Sequence, residues 1–227
     1  MTSSSQNKIS VRVWDFLIRT YHWLLAVLVA VMYISAEFGN FDVHILAGKS
    51  IAILVAVRIV WGFIGSSNAR FSALFFRPRE YVAYIAQLGQ RKPGFGLAHS
   101  PIGALAVIAI LSIISLQVAT GLVASDIDGL IEGPFAYYVD YDTSRWATDL
   151  HHSNERLLLY IIGLHLAANA FYYFYKKDNL ISPMITGVRK IPSDLSSNQP
   201  DIAPTWKAVA VIAVCATIML WLFGRYG

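Results

Sequence analysis

The sequence predicts an all-α integral membrane protein, in which a four-helix transmembrane bundle is followed by a fifth, C-terminal transmembrane helix. Hydrophobic residues make up 56% of the 227 residues, and the mean hydropathy is +0.52. Such values are typical of polytopic membrane proteins and rare in soluble domains. Five stretches are long enough, or nearly so, to cross a hydrocarbon core of about 30 Å. The polar segments between these stretches alternate in charge, as the loops of a multi-pass protein do.

The five predicted spans account for most of the apolar residues. The first could instead be a signal peptide flanked by Lys8 and Arg12, but it contains Arg19 and His22, which a cleaved leader has no reason to keep. Residues 1–190 are therefore predicted to form the transmembrane core, and residues 191–227 a linker and an additional helix. The predicted spans are residues 16–35, 45–64, 102–124, 157–175 and 208–223.

Three connecting segments have a distinct character. Residues 65–98 are basic and aromatic, and within them residues 80–88 are predicted to form a short helix along the inner membrane surface. Residues 125–150 are acidic and are predicted to form a partly ordered cap on the outer side. Residues 193–204 are a polar linker before the last span.

The charges of the connecting segments predict the orientation. With the N-terminus inside, the inner segments carry eleven Lys or Arg against five Asp or Glu, and the outer segments carry two against eight. The positive-inside rule therefore places the N-terminus in the cytoplasm and the C-terminus outside. The net charge of +4 follows from this topology and does not indicate nucleic-acid binding. The single cysteine, Cys215, excludes an internal disulfide, a cysteine-ligated iron–sulfur cluster and c-type haem attachment.

Histidines are the candidate functional residues. His151 and His165 are fourteen residues apart, so on one helix they face the same way and lie about 21 Å apart along its axis. By predicted depth, His22 in span one matches His165 near the inner face, and His44 at the start of span two matches His151 at the outer face. The topology thus predicts two bis-histidine sites, one above the other. The alternative is that these histidines cap helices or bind lipid headgroups.

The residue types at these sites favour haem over other metal centres. Two neutral imidazoles without a nearby cysteine or carboxylate suit a low-spin haem iron, because the porphyrin supplies its other four ligands. Zinc would need a third or fourth protein ligand at the same depth. Nothing in the chain favours copper. An iron with both axial positions filled by protein has no open site for oxygen. Two such haems across a membrane predict electron transfer.

Basic residues near the histidines are candidate partners of the haem propionates. Arg58 lies fourteen residues after His44 and is expected either to pair with a propionate or to snorkel to the interface. Arg19 lies one turn from His22 and could serve likewise. Lys49 follows His44 by about a turn and a half and could neutralise a propionate of the outer haem.

Two further histidines leave alternatives open. His152 neighbours His151, but thirteen residues to His165 would give an angular error of about 140°, against about 40° for fourteen residues, so the spacing favours His151. His99 starts span three at the inner face and has no histidine partner left. It is interpreted either as a residue that contacts the haem surroundings or a quinone, or as an ordinary helix-entry residue.

Four groups of residues occur in an order typical of one family. They are Val13-Trp14-Asp15 to Tyr21-His22-Trp23, then His44 with Gly48 and Arg58-Ile59-Val60-Trp61-Gly62, then His99-Ser100-Pro101-Ile102-Gly103, and finally Asp149-Leu150-His151 with Leu157-Leu158-Leu159 and His165. Over residues 10–190 the chain resembles the bacterial cytochrome b family, which includes b561-type cytochromes and the b-type subunits of nickel–iron hydrogenases.

The resemblance implies a four-helix core in the bacterial inner membrane that holds two non-covalent b haems. Their axial ligands would be His22, His44, His151 and His165, in agreement with the predicted depths. Members of the family exchange electrons between the quinone pool and a partner subunit or a soluble cytochrome. His152 stands where the family often has an acidic residue, and the fifth span is additional to the four-helix core of the hydrogenase subunits.

The sequence is compatible with three functions: electron transfer, anchoring of a partner enzyme, and transport. The first is electron transfer between quinone and a periplasmic redox partner, with a c-type cytochrome favoured because five-span versions resemble membrane cytochromes that serve one. The second is a membrane-anchor subunit of a periplasmic oxidoreductase such as a nickel–iron hydrogenase. A transporter with functional histidines would bind no haem. The sequence leaves open whether the chain itself oxidises quinol and whether it forms a homodimer. In either of the first two cases, the partner is expected to dock on acidic residues of the outer loop: Asp126, Asp128, Glu132, Asp140 and Asp142.

Overall fold

The computed structural model describes residues 8–91, 96–193 and 199–226, and its long elements are helices. Five helices in this part of the chain are long and apolar enough to cross a membrane. They are α1 (Phe16–Glu37), α2 (Phe41–Ile64), α4 (Pro101–Val123), α5 (Tyr141–Phe174) and α7 (Thr205–Tyr226), with the shorter α3 (Pro78–Ala86) and α6 (Ile181–Thr186) between them. The predicted all-α membrane fold and its five spans are confirmed.

Short polar side chains begin several of these helices. Each carries an oxygen that accepts a hydrogen bond from a backbone amide of the first turn, where no carbonyl of the helix can reach it. The capping pairs are Asp15 with Ile18, Asn40 with Val43, Ser100 with Gly103, and Asp140 with Thr143. These local signals set where the helices start more sharply than hydropathy does.

The start of α5 differs from the prediction. The sequence predicts a loop over residues 125–150 and a span that begins at residue 157, whereas the helix starts at Tyr141. Its first turns are polar but helical, because Asp140 caps them and Ser144 N donates to the Asp140 carbonyl at 3.0 Å. His151 therefore lies ten residues inside a continuous 34-residue helix and does not open it.

Other connecting segments agree with the prediction where they are described. The short helix expected at residues 80–88 is present as α3, which carries Pro78 at its first position. A 3-10 turn, Ala136–Tyr138, gives the outer loop some of its expected order. Parts of two predicted segments, residues 92–95 and 194–198, lie outside the described residues.

A two-stranded antiparallel sheet was not predicted. Strand β1 (Lys8–Arg12) pairs with β2 (Val188–Pro192), with Ser10 opposite Lys190. Gly187 precedes β2 with φ +80, and its carbonyl accepts hydrogen bonds from the amides of Val13 and Trp14. A side chain at this glycine would meet the Trp14 carbonyl, so the close approach requires glycine.

The chain divides into two compact units. Unit 1 comprises Met1–Arg19, Trp61–Val107 and Leu164–Ala208. Its core contains Val11, Val13 and Ile191, and the fully buried Trp61 donates its indole N–H to Asp15 at 3.0 Å. Asp15 thus satisfies both the first turn of α1 and a buried indole.

Unit 2 comprises Thr20–Val60, Ile108–Gly163 and Val209–Gly227. Its core draws on four helices, with members from α1, α2, α4 and α5: Leu25, Ile51, Val55, Ile114 and Leu158. The fifth helix, α7, contributes Phe223, whose ring stacks on Phe135 with centroids 5.7 Å apart. Within unit 2, the core therefore has the composition of a four-helix bundle with an accessory helix. The division at residues 190 and 191 stays a prediction.

Candidate functional site

Two of the predicted ligands, His44 and His151, lie close together in unit 2. His44 lies in the first turn of α2 and His151 in the second quarter of α5. Their ring centroids are 6.3 Å apart, and the planes cross at 74°. The structure thus brings together the pair that predicted depth assigned to the outer face.

Both rings are held by backbone carbonyls. His44 Nδ1 lies 3.1 Å from the Met32 carbonyl oxygen, and His151 Nδ1 lies 3.0 Å from that of Gln117. A carbonyl oxygen can only accept a hydrogen bond, so Nδ1 of each ring carries the proton. The lone pair of each neutral imidazole is therefore on Nε2. An Nδ1–H bonded to a carbonyl is the arrangement usual for metal-ligating histidines.

The separation of the two rings fits one metal ion between them. Imidazole–metal bonds are about 2.0–2.1 Å long, and a ring centre lies about 1.2 Å from its nitrogen, so rings on opposite sides of one ion have centroids about 6.4 Å apart. The observed 6.3 Å agrees with this value. Among the described residues, no group of three or more His, Cys, Asp or Glu forms a metal site. The pair thus suits an ion whose remaining ligands come from a macrocycle such as haem.

Small residues of α4 accommodate the His151 ring. A Cβ atom at Gly121 would lie 2.8 Å from His151 Cε1, closer than real side chains approach. The Thr120 hydroxyl lies 3.2 Å from His151 Nδ1 and is itself bonded to carbonyls of its own helix. The ring is therefore packed against one face of α4.

His152 points away from this pair. It is exposed, whereas His151 is half-buried, and the two rings lie 6.3 Å apart in a T-shaped arrangement. The geometry supports the sequence-based choice of His151 over His152.

The other predicted pair is divided between the units. His22 belongs to unit 2, where its Nδ1 is buried and its ring contacts the Trp23 ring edge-on at 5.1 Å. His165 belongs to unit 1, where Asn169 Nδ2 lies 3.2 Å from its Nε2 and 2.9 Å from its carbonyl. The pairing of His22 with His165 therefore remains a prediction.

The predicted basic residues have individual environments. Arg58 is buried within unit 2, at 4% exposure, and interacts electrostatically with Tyr21, so the protein encloses its guanidinium. The propionate contact of Arg58 stays a prediction. Lys49 Nζ lies 5.4 Å from the centre of the Phe223 ring, a cation–π contact that a propionate would have to share or displace.

Arg19 and His99 lie in unit 1. The Arg19 guanidinium donates to the carbonyl of Ile185 at 2.6 Å and to that of Asp15 at 3.3 Å, which gives it a structural role in tying α6 to α1. The His99 ring packs against Trp14 with centroids 4.7 Å apart, and its Nδ1 is buried.

Sequence reasoning missed the polar residues that support His151. Asn154 donates its side-chain amide to Gln117 Oε1 at 2.6 Å, and Gln117 also supplies the carbonyl that holds the ring. Gln117, Thr120 and Gly121 share one face of the largely apolar α4. Their spacing was the signal that could have found them, because polar residues at membrane depth are usually functional.

The apolar helices and the family match together identify a membrane cytochrome. The family described as prokaryotic cytochrome b561 matches residues 13–187 of the chain. The chain belongs to this family. It is a multi-pass membrane protein of electron transport, and the family implies haem b as its cofactor.

Similar curated proteins carry a more specific description. A probable Ni/Fe-hydrogenase 1 B-type cytochrome subunit of Escherichia coli (strain K12) is 23% identical, over 83% of this chain and 94% of the relative. A probable Ni/Fe-hydrogenase B-type cytochrome subunit of Azotobacter chroococcum mcd 1 is also 23% identical, over 85% and 95%. That of Rhodobacter capsulatus is 20% identical, over 84% and 86%.

Proposed function

We propose that the chain carries electrons across the bacterial inner membrane through two b haems, between the quinone pool and a periplasmic redox partner. His44 and His151 would hold one haem, and His22 and His165 the other. The proximity of His44 and His151, with both Nδ1 atoms bonded to carbonyls, is the observation that carries this proposal. Haem b supplies a one-electron iron couple when bound.

The residues of the chain have defined tasks in this function. The carbonyls of Met32 and Gln117 orient the two imidazoles and keep their Nε2 lone pairs available for the iron. His44 and His151 would hold the haem from the protein side, and the group would then supply electron transfer. The buried Arg58 guanidinium supplies a positive charge that would compensate a propionate.

The test of the ligand assignment is haem content. Purified wild-type protein should contain about two acid-extractable haems per chain with b-type difference bands. His44→Ala and His151→Ala should each remove one haem, because a single imidazole leaves an axial position open, and His22→Ala and His165→Ala should remove the other. His152→Ala is the matched control and should retain both. A haem lost from His152→Ala but kept in His151→Ala would reverse the assignment, and a haem-free wild type would refute the function.

A quinone site near His99 is the less supported part of the proposal. The His99 ring packs against Trp14 just before α4, and residues 65–98 are basic. Both features suggest that the quinone binds at the cytoplasmic end of the helices. His99→Ala should slow haem reduction by quinol while leaving haem content and dithionite-reduced spectra unchanged. Equal rates in wild type and variant would remove His99 from the proposed quinone path.

The identity of the partner separates two forms of this function. A c-type cytochrome would be a dissociable partner, whereas the names of the relatives favour the alternative, in which the chain anchors a periplasmic oxidoreductase such as a hydrogenase. Asp128 and Glu132 are exposed on the outer loop, and the acidic loop would attract a basic partner in either case.

Neutralising the acidic loop tests the docking surface. The triple variant Asp126→Asn, Asp128→Asn, Glu132→Gln should slow electron exchange with the partner without changing either haem spectrum, because charge mainly raises the encounter rate over a Debye length of about 8 Å. Exchange that stays equally fast and equally salt-sensitive would place docking elsewhere. A partner that dissociates at moderate salt indicates a small cytochrome, and one that co-purifies indicates an obligate catalytic subunit.

A further inference from the structure

A buried polar cluster joins α4 to α5 beside His151, within unit 2. Its members are Gln117 and Thr120 on α4 and Asn154 on α5. Asn154 and Thr120 are 3% and 4% exposed, although both lie in helices apolar enough to cross a membrane. Polar side chains in such a position are costly and usually functional.

Asn154 uses its side-chain amide to fix its position on the neighbouring helix. Its Nδ2 donates to the Ile113 carbonyl at 2.9 Å and to Gln117 Oε1 at 2.6 Å. These two acceptors lie one turn apart on α4. The bonds therefore set both the rotation and the axial register of α4 where it meets α5.

Gln117 connects this contact to the ring of His151. Its side-chain oxygen accepts from Asn154, and its backbone carbonyl accepts the His151 Nδ1–H at 3.0 Å. The Thr120 hydroxyl also donates to this carbonyl, at 3.1 Å. Any shift of α4 along α5 would change the length of the His151 hydrogen bond, because the acceptor belongs to α4 and the ring to α5.

We propose that Asn154 and Gln117 are positioning residues that set the reduction potential of the haem bound by His44 and His151. They hold the carbonyl that accepts the His151 Nδ1–H. A strong hydrogen bond there makes Nε2 a more basic ligand, which favours ferric over ferrous iron. This inference rests on the proposed function, because it assumes that the pair binds haem.

The decisive variant is Asn154→Leu in the full-length protein, purified with its haems. Leu has the same branched shape, although it is larger than Asn, and it removes both bonds to α4. We expect both haems to be retained and the midpoint potential of one to rise, with about a tenfold change in its redox equilibrium constant, or 59 mV for one electron. The ferric electron paramagnetic resonance signal of the same haem should shift, and the other haem should keep its potential. The potential that is missing in His151→Ala identifies the affected haem.

Two further variants complete the experiment. Gln117→Leu removes the same interhelical bond from the other side and should shift the same haem in the same direction, which keeps the test decisive if Asn154→Leu does not fold. Ser112→Ala removes an exposed polar side chain from α4 and should change neither potential.

The outcomes are distinct. Unchanged potentials and signals in both Leu variants, with two haems bound, overturn the proposal, and so does an equal shift of both haems, which would indicate a general change in packing. A wild-type protein without haem overturns the proposed function and this inference with it. That result is visible in the absorption spectrum before any variant is titrated.

Discussion

At the scale of single residues, the state of the two closely spaced histidines follows from their hydrogen bonds. His44 and His151 each donate through Nδ1 to a main-chain carbonyl, from Met32 and Gln117. A carbonyl acceptor fixes the neutral tautomer in a way that a hydroxyl or a water molecule does not, because it cannot donate in return. These two carbonyls therefore leave Nε2 of each ring as the atom with a lone pair that could bind a metal.

Gly121 offers a sharp test of the packing around His151. In Gly121→Ala the new methyl would lie 2.8 Å from His151 Cε1, so the ring must move. Overpacking of this kind costs about 1–3 kcal/mol. We expect a lower thermal midpoint and a haem content that falls from two per chain toward one, measured by differential scanning fluorimetry and pyridine haemochrome assay.

Gly163→Ala is the matched control for this variant. Gly163 lies on α5 in the same unit, and a Cβ there has no heavy atom within 4 Å. This variant should keep both haems and the wild-type midpoint. Full haem content and an unshifted Soret band in Gly121→Ala would show that the ring is not seated against α4 as described.

The sequence alone could predict only part of the site. The fourteen-residue spacing favoured His151 over His152 because α5 is continuous between residues 151 and 165. The acceptor carbonyls could not be predicted, since any residue type supplies one. Arg19 shows the same limit: its guanidinium binds the carbonyl of Ile185, which is 166 residues away in sequence.

At the scale of elements, the beginning of α5 depends on Asp140. The backbone amide and the hydroxyl of Thr143 donate to its carboxylate at 2.9 and 2.7 Å, and they hold the pKa of Asp140 below its ordinary value of 3.8. A lowered folded-state pKa means that the cap stabilises the helix above the unfolded-state pKa. The contribution is lost as the pH falls through the folded-state pKa.

Asp140→Asn should remove this pH dependence while keeping the cap, because Asn caps helices about as well as Asp. Hydrogen exchange of the Thr143 and Ser144 amides would report it, after correction for the intrinsic exchange rate. We expect wild-type protection to fall between pH 5 and pH 3, protection in Asp140→Asn to stay constant, and Asp140→Ala to be poorly protected at both values. Constant protection of wild type down to pH 3 would contradict the role of the carboxylate.

Elements built from distant pairings escaped the sequence analysis. β1 and β2 have five residues each, and Ser10 pairs with Lys190 across nearly the whole chain. Strands this short have little periodicity, and their pairing depends on where α5 and α6 end. The apolar spans were predicted well because each is determined by its own sequence, without reference to a partner.

At the scale of the whole molecule, an odd number of spans predicts that the two ends of the chain lie on opposite sides of a membrane. The charge bias predicts that the N-terminal side is cytoplasmic. A reporter that functions only in the periplasm, such as alkaline phosphatase, should therefore be active when it is fused after residue 227. One fused after residue 200, before α7, should be active only if it functions in the cytoplasm. If each reporter were active only at the other site, the predicted orientation would be wrong. If both sites favoured the same reporter, α7 would not cross the membrane.

The long helix α5 connects the outer loop to His151 without a break. At about 1.5 Å per residue its 34 residues extend about 51 Å, whereas the hydrocarbon core is about 30 Å thick. Its first turns are tied to the end of α4 and to the outer loop, because Ser144 donates to the Val123 carbonyl at 2.7 Å and Arg145 to that of Ser125 at 2.8 Å. His151 lies about 15 Å below the start of the helix. A partner that moved the outer loop would therefore also move the first turns of α5, and His151 lies on the same continuous helix. If His151 binds haem as proposed, partner binding should shift the haem absorption spectrum.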